Sequence, residues 1–323
     1  MILTVTINPL LENRIELETM TLGKVSRGVS KYHKAGGKGI NVSRQLDHLS
    51  VKNTALLFLG GNNGKQLRKV LINENINFTS ISSKGETRGA TLAIEKSKNR
   101  ITSIFEPQSK LSKSEINEFK TKLKKMIQNC KIVVFSGSIP NEEAASIITY
   151  GIKLAHEFDK ISILDTYGEH LQSCIDAAPT IIHNNSDEIE SSLNIDLKTQ
   201  QSKISFLKKL YAQGIKLSFI TDGSKPTFAS KFDFIYKIKS PKINEIDPTG
   251  SGDAFVAGIA YGLERALVFD EFVKIASALG SINAASWNVC TTKLEEIENI
   301  VDTIIVEPIG KKFKLINDSP THN

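Results

Sequence analysis

Cysteine is scarce in this 323-residue sequence: Cys130, Cys174 and Cys290 are far apart and odd in number. No CxxC or Cys/His spacing joins them, which argues against a zinc ribbon or a dithiol redox motif and leaves buried thiols as the simpler reading. The six histidines form no HExxH pair, so a structural metal centre is not expected. Long apolar runs are missing as well, since "IVVFSGSI" and "TIIVEPI" are far too short to span a bilayer. The opening "MILTVTI" has none of the basic start, long apolar stretch or small-residue cleavage site of a secretory leader. A cytoplasmic protein without a membrane partner is expected.

A basic motif interleaved with aromatics is also lacking. The net charge is +6, from 41 basic and 35 acidic residues, but the lysines are spread along the chain among acids. The densest run, "KTKLKKMIQNCK" (Lys120 to Lys131), has apolar residues at i, i+3, i+4 and reads as a helix with a solvated face. Nucleic acid is therefore not an expected partner. Anionic small substrates suit the charge equally well.

What is present is a core-forming composition, 40% hydrophobic and 24% charged. Short apolar strands are expected at Leu3–Ile7, Thr54–Leu59, Ile132–Ser136, Ile161–Asp165, Thr180–His183 and Leu217–Thr221. Amphipathic helices are expected at Ile40–Leu49, Gly64–Asn73, Ser114–Asn129, Glu142–Glu157, Thr199–Gln213, Gly252–Arg265 and Asp270–Ala285. Continuous apolar strands alternating with helices predict an α/β fold, a doubly wound and mostly parallel sheet covered on both faces. Two segments break the rhythm. Arg14–His33 and Arg88–Glu106 alternate with period two, as in antiparallel ribbons, and would form a small β-sheet lid. One domain over residues 1–323, with lid strands from about 12–34 and 87–106, is the expected organisation. The closing "NDSPTHN" reads as loose.

Polar clusters follow several strands, where open α/β sheets bind ligands: "NP" at Asn8, "SGSIP", "DTYGE", "NNSDE" and "TDGSK". "LGGNNGKQ" fails as a Walker A loop, because Gly60 is one residue too close to Gly64-Lys65 and the final Ser/Thr is missing; "GGKGIN" lacks the third glycine of a dinucleotide fingerprint. Two glycine-rich stretches remain. "AGGKGINVSRQL" and "DPTGSGDAF" each run into a helix and could present open amides to an anion, the second at Gly250, Ser251 and Gly252. Together with the Asp253 carboxylate they point to phosphoryl transfer. Taken singly, these residues have plainer readings: Asp253 and Glu188 as first-turn acids, Lys38 as a solvated lysine, Arg88 as a surface arginine, Ser138 as a helix cap.

"GGKGINVSR" and "DPTGSGDAFVAG", in this order and spanning most of the chain, resemble the paired signatures of the ribokinase-like (PfkB) sugar kinases. With "ILTVTINP" and the lysine of "GGKG", the resemblance is to the phosphosugar branch of 1-phosphofructokinases and tagatose-6-phosphate kinases. It implies a doubly wound domain with a β-sheet lid, ATP and Mg2+ as cofactors, and a sugar phosphate as substrate. By resemblance, Asp253 is the base that takes the proton of the attacking hydroxyl, and Gly250, Ser251 and Gly252 form the anion hole. Asn185 and Glu188 match the NxxE motif that organises Mg2+ and its waters, and Thr221 and Gly223 fall where the nucleotide is contacted. Lys38, Arg88 and Ser138 match the positions that hold the substrate's existing phosphate, with Gly37, Asn41 and Glu12 near the sugar and Arg27 a further candidate. Asp247 matches an acid that helps bind a monovalent cation, K+, in some relatives. A homodimer through the lid is implied in the same way.

Four departures bear on the substrate. Glu12 stands where the family usually has Asp, Ala90 replaces an Asn, "HNN" replaces Lys-Pro-Asn, and "GSKP" replaces the Gly-x-x-Gly of the nucleotide loop. The expected activity is transfer of the ATP γ-phosphoryl group to fructose 1-phosphate, with tagatose 6-phosphate second. The rivals are a kinase of an unphosphorylated sugar or nucleoside and a non-catalytic sugar-phosphate sensor.

Overall fold

The structure is a computed structural model and describes residues 1–309; the tail expected to be loose, 317–323, lies outside them. The chain opens with β1 (Ile2–Thr6), leaves for a hairpin of β2 (Leu10–Leu17) and β3 (Gly28–Gly36), and returns through α1 (Lys38–His48) to β4 (Asn53–Gly60). Helix α2 (Gly61–Asn73) leads to β5 (Phe78–Ser83) and a second hairpin, β6 (Arg88–Glu95) and β7 (Arg100–Phe105). Then come α3 (Lys113–Gln128), β8 (Ile132–Ser136), α4 (Glu142–Glu157), β9 (Ile161–Asp165), α5 (Leu171–Asp176), β10 (Ile181–Asn185), α6 (Ser186–Leu193), α7 (Gln200–Ala212) and β11 (Leu217–Asp222). The chain continues with β12 (Lys225–Lys231), β13 (Phe234–Lys239), α8 (Ser251–Glu264), α9 (Phe269–Ala284), α10 (Leu294–Val301) and β14 (Ile305–Ile309).

Ten strands form one sheet in the order β14-β13-β12-β11-β10-β9-β8-β1-β4-β5. It is parallel from β5 to β11 and antiparallel beyond, so the expected mostly parallel sheet is found. Alternation along each strand feeds two cores. On β1 and β8, Leu3, Val5, Val133 and Phe135 pack under α3 and α4, whereas Ile2, Ile132 and Val134 pack under α1, α8 and α9. Helix α9 can lie close to α8 because Gly258 has no side chain; a Cβ there would sit 2.5 Å from Ala276 Cα. That contact fixes α8, and with it the helix start that bears Asp253.

The lid is also found, as a separate four-stranded sheet in the order β3-β2-β6-β7. The two hairpins are antiparallel, as expected, but β2 and β6 pair in parallel. Strand β5 and the antiparallel trio β12 to β14 were not expected. The first reads "FTSISS", polar and half-exposed, and edge strands of that kind carry little hydrophobic pattern. Helices α5, α6 and α10, of six to eight residues, are too short to show a clear period.

Candidate active site at the carboxyl ends of the strands

Strand β1 has β4 on one side and β8 on the other, so the sheet order reverses there and opens a crevice beyond the strand ends. Pro248 to Ser251 close a turn into α8: Ser251 N–H donates to the Pro248 carbonyl, 3.1 Å. Gly250, at φ 79 and ψ 0, fills the position of that turn where a left-handed backbone favours glycine. This corrects one expectation, since the Ser251 amide is spent on the turn. The amides of Gly250, Gly252 and Asp253 have no acceptor among the described residues. The Ser251 hydroxyl instead takes a bond from Asn283 Nδ2 at 3.1 Å, and Asn283 also reaches the Thr249 carbonyl and the Cys290 N–H. Asn283, unseen in the sequence, therefore holds the glycine loop before α8 in place.

Asp253 sits in the first turn of α8, but it is no solvated cap: it is 3% exposed. Asn41 Nδ2, one turn into α1, donates to its Oδ2 at 2.7 Å. Burial pushes its carboxyl up to about 7; Lys38 pulls it down, Asp165 and Glu188 push it up, and the Asn41 bond opposes them.

Lys38 opens α1 after Gly37, whose φ of 116 turns the chain at the end of β3. Its Nζ lies 2.9 Å from both Asp165 and Glu188, and 5.4 Å from the centre of the Tyr167 ring. Burial alone would lower the Lys38 ammonium, but the two carboxylates outweigh it and hold it above its ordinary value. Two of its three N–H donors are thus engaged and one is left for a ligand. Glu188 is also the acid of a capping box with Asn185, which is its plain reading as a first-turn acid.

Asp165, fully buried at the end of β9, also accepts from Ser136 Oγ and meets His183 Nδ1 at 3.0 Å. Burial opposes its ionisation, yet Lys38, His183 and Ser136 hold its carboxyl below the usual range. His183 Nε2 reaches Thr221 Oγ1 at 3.2 Å, and a Cβ on Gly252 would lie 3.1 Å from His183 Cε1. The "HNN" departure thus places an imidazole directly beneath Gly252 at the start of α8. Asp165 was within "DTYGE", but no periodic signal marked it, and the role of His183 depends on four separate strands.

Arg88, at the start of β6, stacks 5.3 Å from the Phe105 ring, and its buried Nε has no hydrogen-bond partner among the described residues. Ser138 does not cap α4, which starts after Asn141; its Oγ accepts from Asn8 Nδ2 at 2.9 Å. Glu12, on β2, takes Arg14 Nε at 2.9 Å and lies against Gly36 at the foot of the lid. Ala90 pairs with Glu12 in register, so the longer and the shorter of the two departures are neighbours. Asp247 is buried: Oδ1 accepts from Thr249 N–H at 3.0 Å and Oδ2 has no partner among the described residues. Gly223, in the exposed turn after β11, and Arg27, in the exposed β2–β3 loop, are not joined to this cluster by any described contact.

A buried carboxylate beside open amides at a helix start, with a buried lysine held between two further carboxylates, is an arrangement suited to phosphoryl transfer. The sequence pattern of the pfkB family carbohydrate kinases matches residues 12–296, and the chain belongs to that family. It is 32% identical to a tagatose-6-phosphate kinase of Staphylococcus epidermidis (strain ATCC 12228), over 95% of this chain and 100% of that one. A crystal structure from Thermotoga maritima, of a protein called "Possible 1-phosphofructokinase", superposes with TM-score 0.87 at 26% identity, over 96% of this chain and 99% of the other. Phosphofructokinase-2 of Escherichia coli, crystallised in complex with potassium, shares the fold at TM-score 0.86 and 21% identity, over 94% and 98%.

Proposed function

We propose that this carbohydrate kinase acts on a hexose phosphate, using ATP and magnesium. The observation that carries the reading is the buried Asp253, held by Asn41 beside the open amides of the α8 start. Asp253 takes the proton of the substrate's free primary hydroxyl as the new O–P bond forms and ADP leaves. The Gly250 and Gly252 amides neutralise charge on the moving group, and donors of this kind are each worth roughly 10²–10³ in rate. Arg88, with its unpartnered Nε, Ser138 and Lys38 favour a substrate already carrying a phosphate over a neutral sugar or nucleoside. Glu12 and Asn41 would meet the sugar hydroxyls, and Thr221 with Gly223 the nucleotide.

Among the described residues no group of three or more His, Cys, Asp or Glu could cage a metal. This fits magnesium, which keeps its waters and is held mainly by substrate phosphates, with Asn185 and Glu188 ordering those waters. Bound there, it would neutralise phosphate charge. The unpartnered Asp247 Oδ2 is a hard, buried oxygen that fits a potassium ion.

Fructose 1-phosphate is the first substrate on the sequence, in line with the Thermotoga neighbour. Tagatose 6-phosphate is the second, in line with the Staphylococcus relative. The test is ADP release with ATP and magnesium over sugars, sugar phosphates and nucleosides, with potassium or tetramethylammonium present. Turnover of a ketohexose phosphate, abolished in Asp253→Asn, supports the reading; turnover only of unphosphorylated acceptors, or none, refutes it. A potassium effect that survives in Asp247→Ala removes Asp247 from that role. No helix among the described residues is long and apolar enough to cross a membrane.

A further inference from the structure

One buried cation outside the cleft touches the base's own partner. Arg44, 6% exposed on α1, donates from Nη1 to Asn41 Oδ1 at 2.6 Å. Its other donors bind Glu74 Oε2, at 3.0 Å from Nε and 2.7 Å from Nη2, and the Ala35 carbonyl at 2.5 Å. Glu74 Oε1 in turn accepts from Ala35 N–H at 3.2 Å. The guanidinium thus joins α1, the end of α2 and the foot of lid strand β3, just before the "GGKG" turn.

We propose that Arg44 is a positioning residue for Asp253 and acts through Asn41, by setting which way the Asn41 amide faces. An amide has an acceptor at one end and two donors at the other, whereas a guanidinium only donates and an ionised carboxylate only accepts. With Arg44 on one side, the Asn41 oxygen must face it, and the NH2 group must face Asp253. Remove Arg44, and nothing prevents a flip that sets oxygen against carboxylate. The bond from Asn41 to Oδ2 also fixes the Asp253 rotamer, leaving Oδ1 to meet the acceptor hydroxyl. Arg44 touches neither the base nor the anion hole, so its effect passes through this single amide. Lys34, the other cation close to Arg44, reaches instead to Asn288 Oδ1 at 3.4 Å and has no bond to Asn41.

The inference rests on Asp253 being the base, and a double-mutant cycle separates the two claims. Arg44→Met in the wild-type background should lower kcat about tenfold with KM for ATP within about twofold, the scale of one hydrogen bond to a charged group. In an Asn41→Ala background, where no amide remains to orient, the same change should cost less than about twofold. An equal loss in both backgrounds, or none in the first, overturns the proposal. If Arg44→Met does not fold, Arg44→Lys replaces it and keeps one donor for Asn41. A loss of about threefold that vanishes beside Asn41→Ala supports the coupling, and a persistent or absent loss overturns it. Failure of the cycle leaves Asp253 as base; full activity in Asp253→Asn would remove the base itself.

Discussion

Raising the pH from 5 to 9 should switch on turnover through a single ionisation at about pH 7, that of Asp253. A general base works only when ionised, so at pH 5, two units below, about one molecule in a hundred is competent. The expected kcat/KM there is about 100-fold below its plateau. The assay is ADP release at each pH, but a sugar phosphate has its own ionisation near pH 6, as phosphate esters do. Thermal unfolding without substrate gives a readout free of that overlap. The carboxyl has a raised value in the folded chain, about 7 against an ordinary 3.8. Between those values the folded state holds a proton that the unfolded state has lost, so stability falls as the pH rises from about 4 to 7. The full shift corresponds to about 4 kcal/mol at 1.36 kcal/mol per unit, and relaxation around the charge trims it to roughly 2–4 kcal/mol. For a chain of this length 1 kcal/mol is about 1.5 °C. Asp253→Asn, which removes the charge and keeps the shape, should therefore raise Tm by about 3–6 °C at pH 8 and hardly at all at pH 4. It should also lower kcat by at least about 100-fold. A flat rate profile from pH 5 to 9, or the same Tm difference at both pH values, would refute the reasoning.

Lys38→Met should lower stability by about 3–5 kcal/mol, because Asp165 and Glu188 lose the ammonium between them and Asp165 has no access to water. The same variant should move the acid limb above pH 7, since Lys38 lowers the Asp253 carboxyl; an unmoved limb would remove Lys38 from the base's surroundings. The lid carries exposed apolar side chains at Leu22, Val25, Val29, Ile104 and Phe105, and a homodimer through it is the assembly proposed. Sedimentation velocity at micromolar concentration should show about twice the 35.6 kDa of the chain, and a monomer would refute the contact.

Where a property depends on neighbours along the chain, sequence reading went far. The apolar strands, the amphipathic helices and both lid ribbons were legible, because side-chain period is set by backbone geometry alone. The starts of α1 and α8 were legible to within two residues, expected at Ile40 and Gly252 and found at Lys38 and Ser251, as glycine turns leading into an apolar pattern. The short and half-exposed elements were not, because β5 owes its form to pairing with β4 and α5 to packing against α4 and α6. The pairing of β2 with β6 was equally invisible, since it joins strands more than 70 residues apart.

The site divides along the same line. The sequence by itself determined that two glycine turns each open a helix, and that Asp253 and Glu188 lie in first turns. It left the solvation of every one of these groups open. Only tertiary structure decided that Asp253 is buried against Asn41, that Lys38 is clamped by Asp165 and Glu188, that His183 underlies Gly252, and that Arg44 faces the far side of the Asn41 amide. The physical reason is range. Turn and helix preferences are settled within a few residues, whereas a pKa or an amide orientation depends on charges and water that distant strands bring in or exclude.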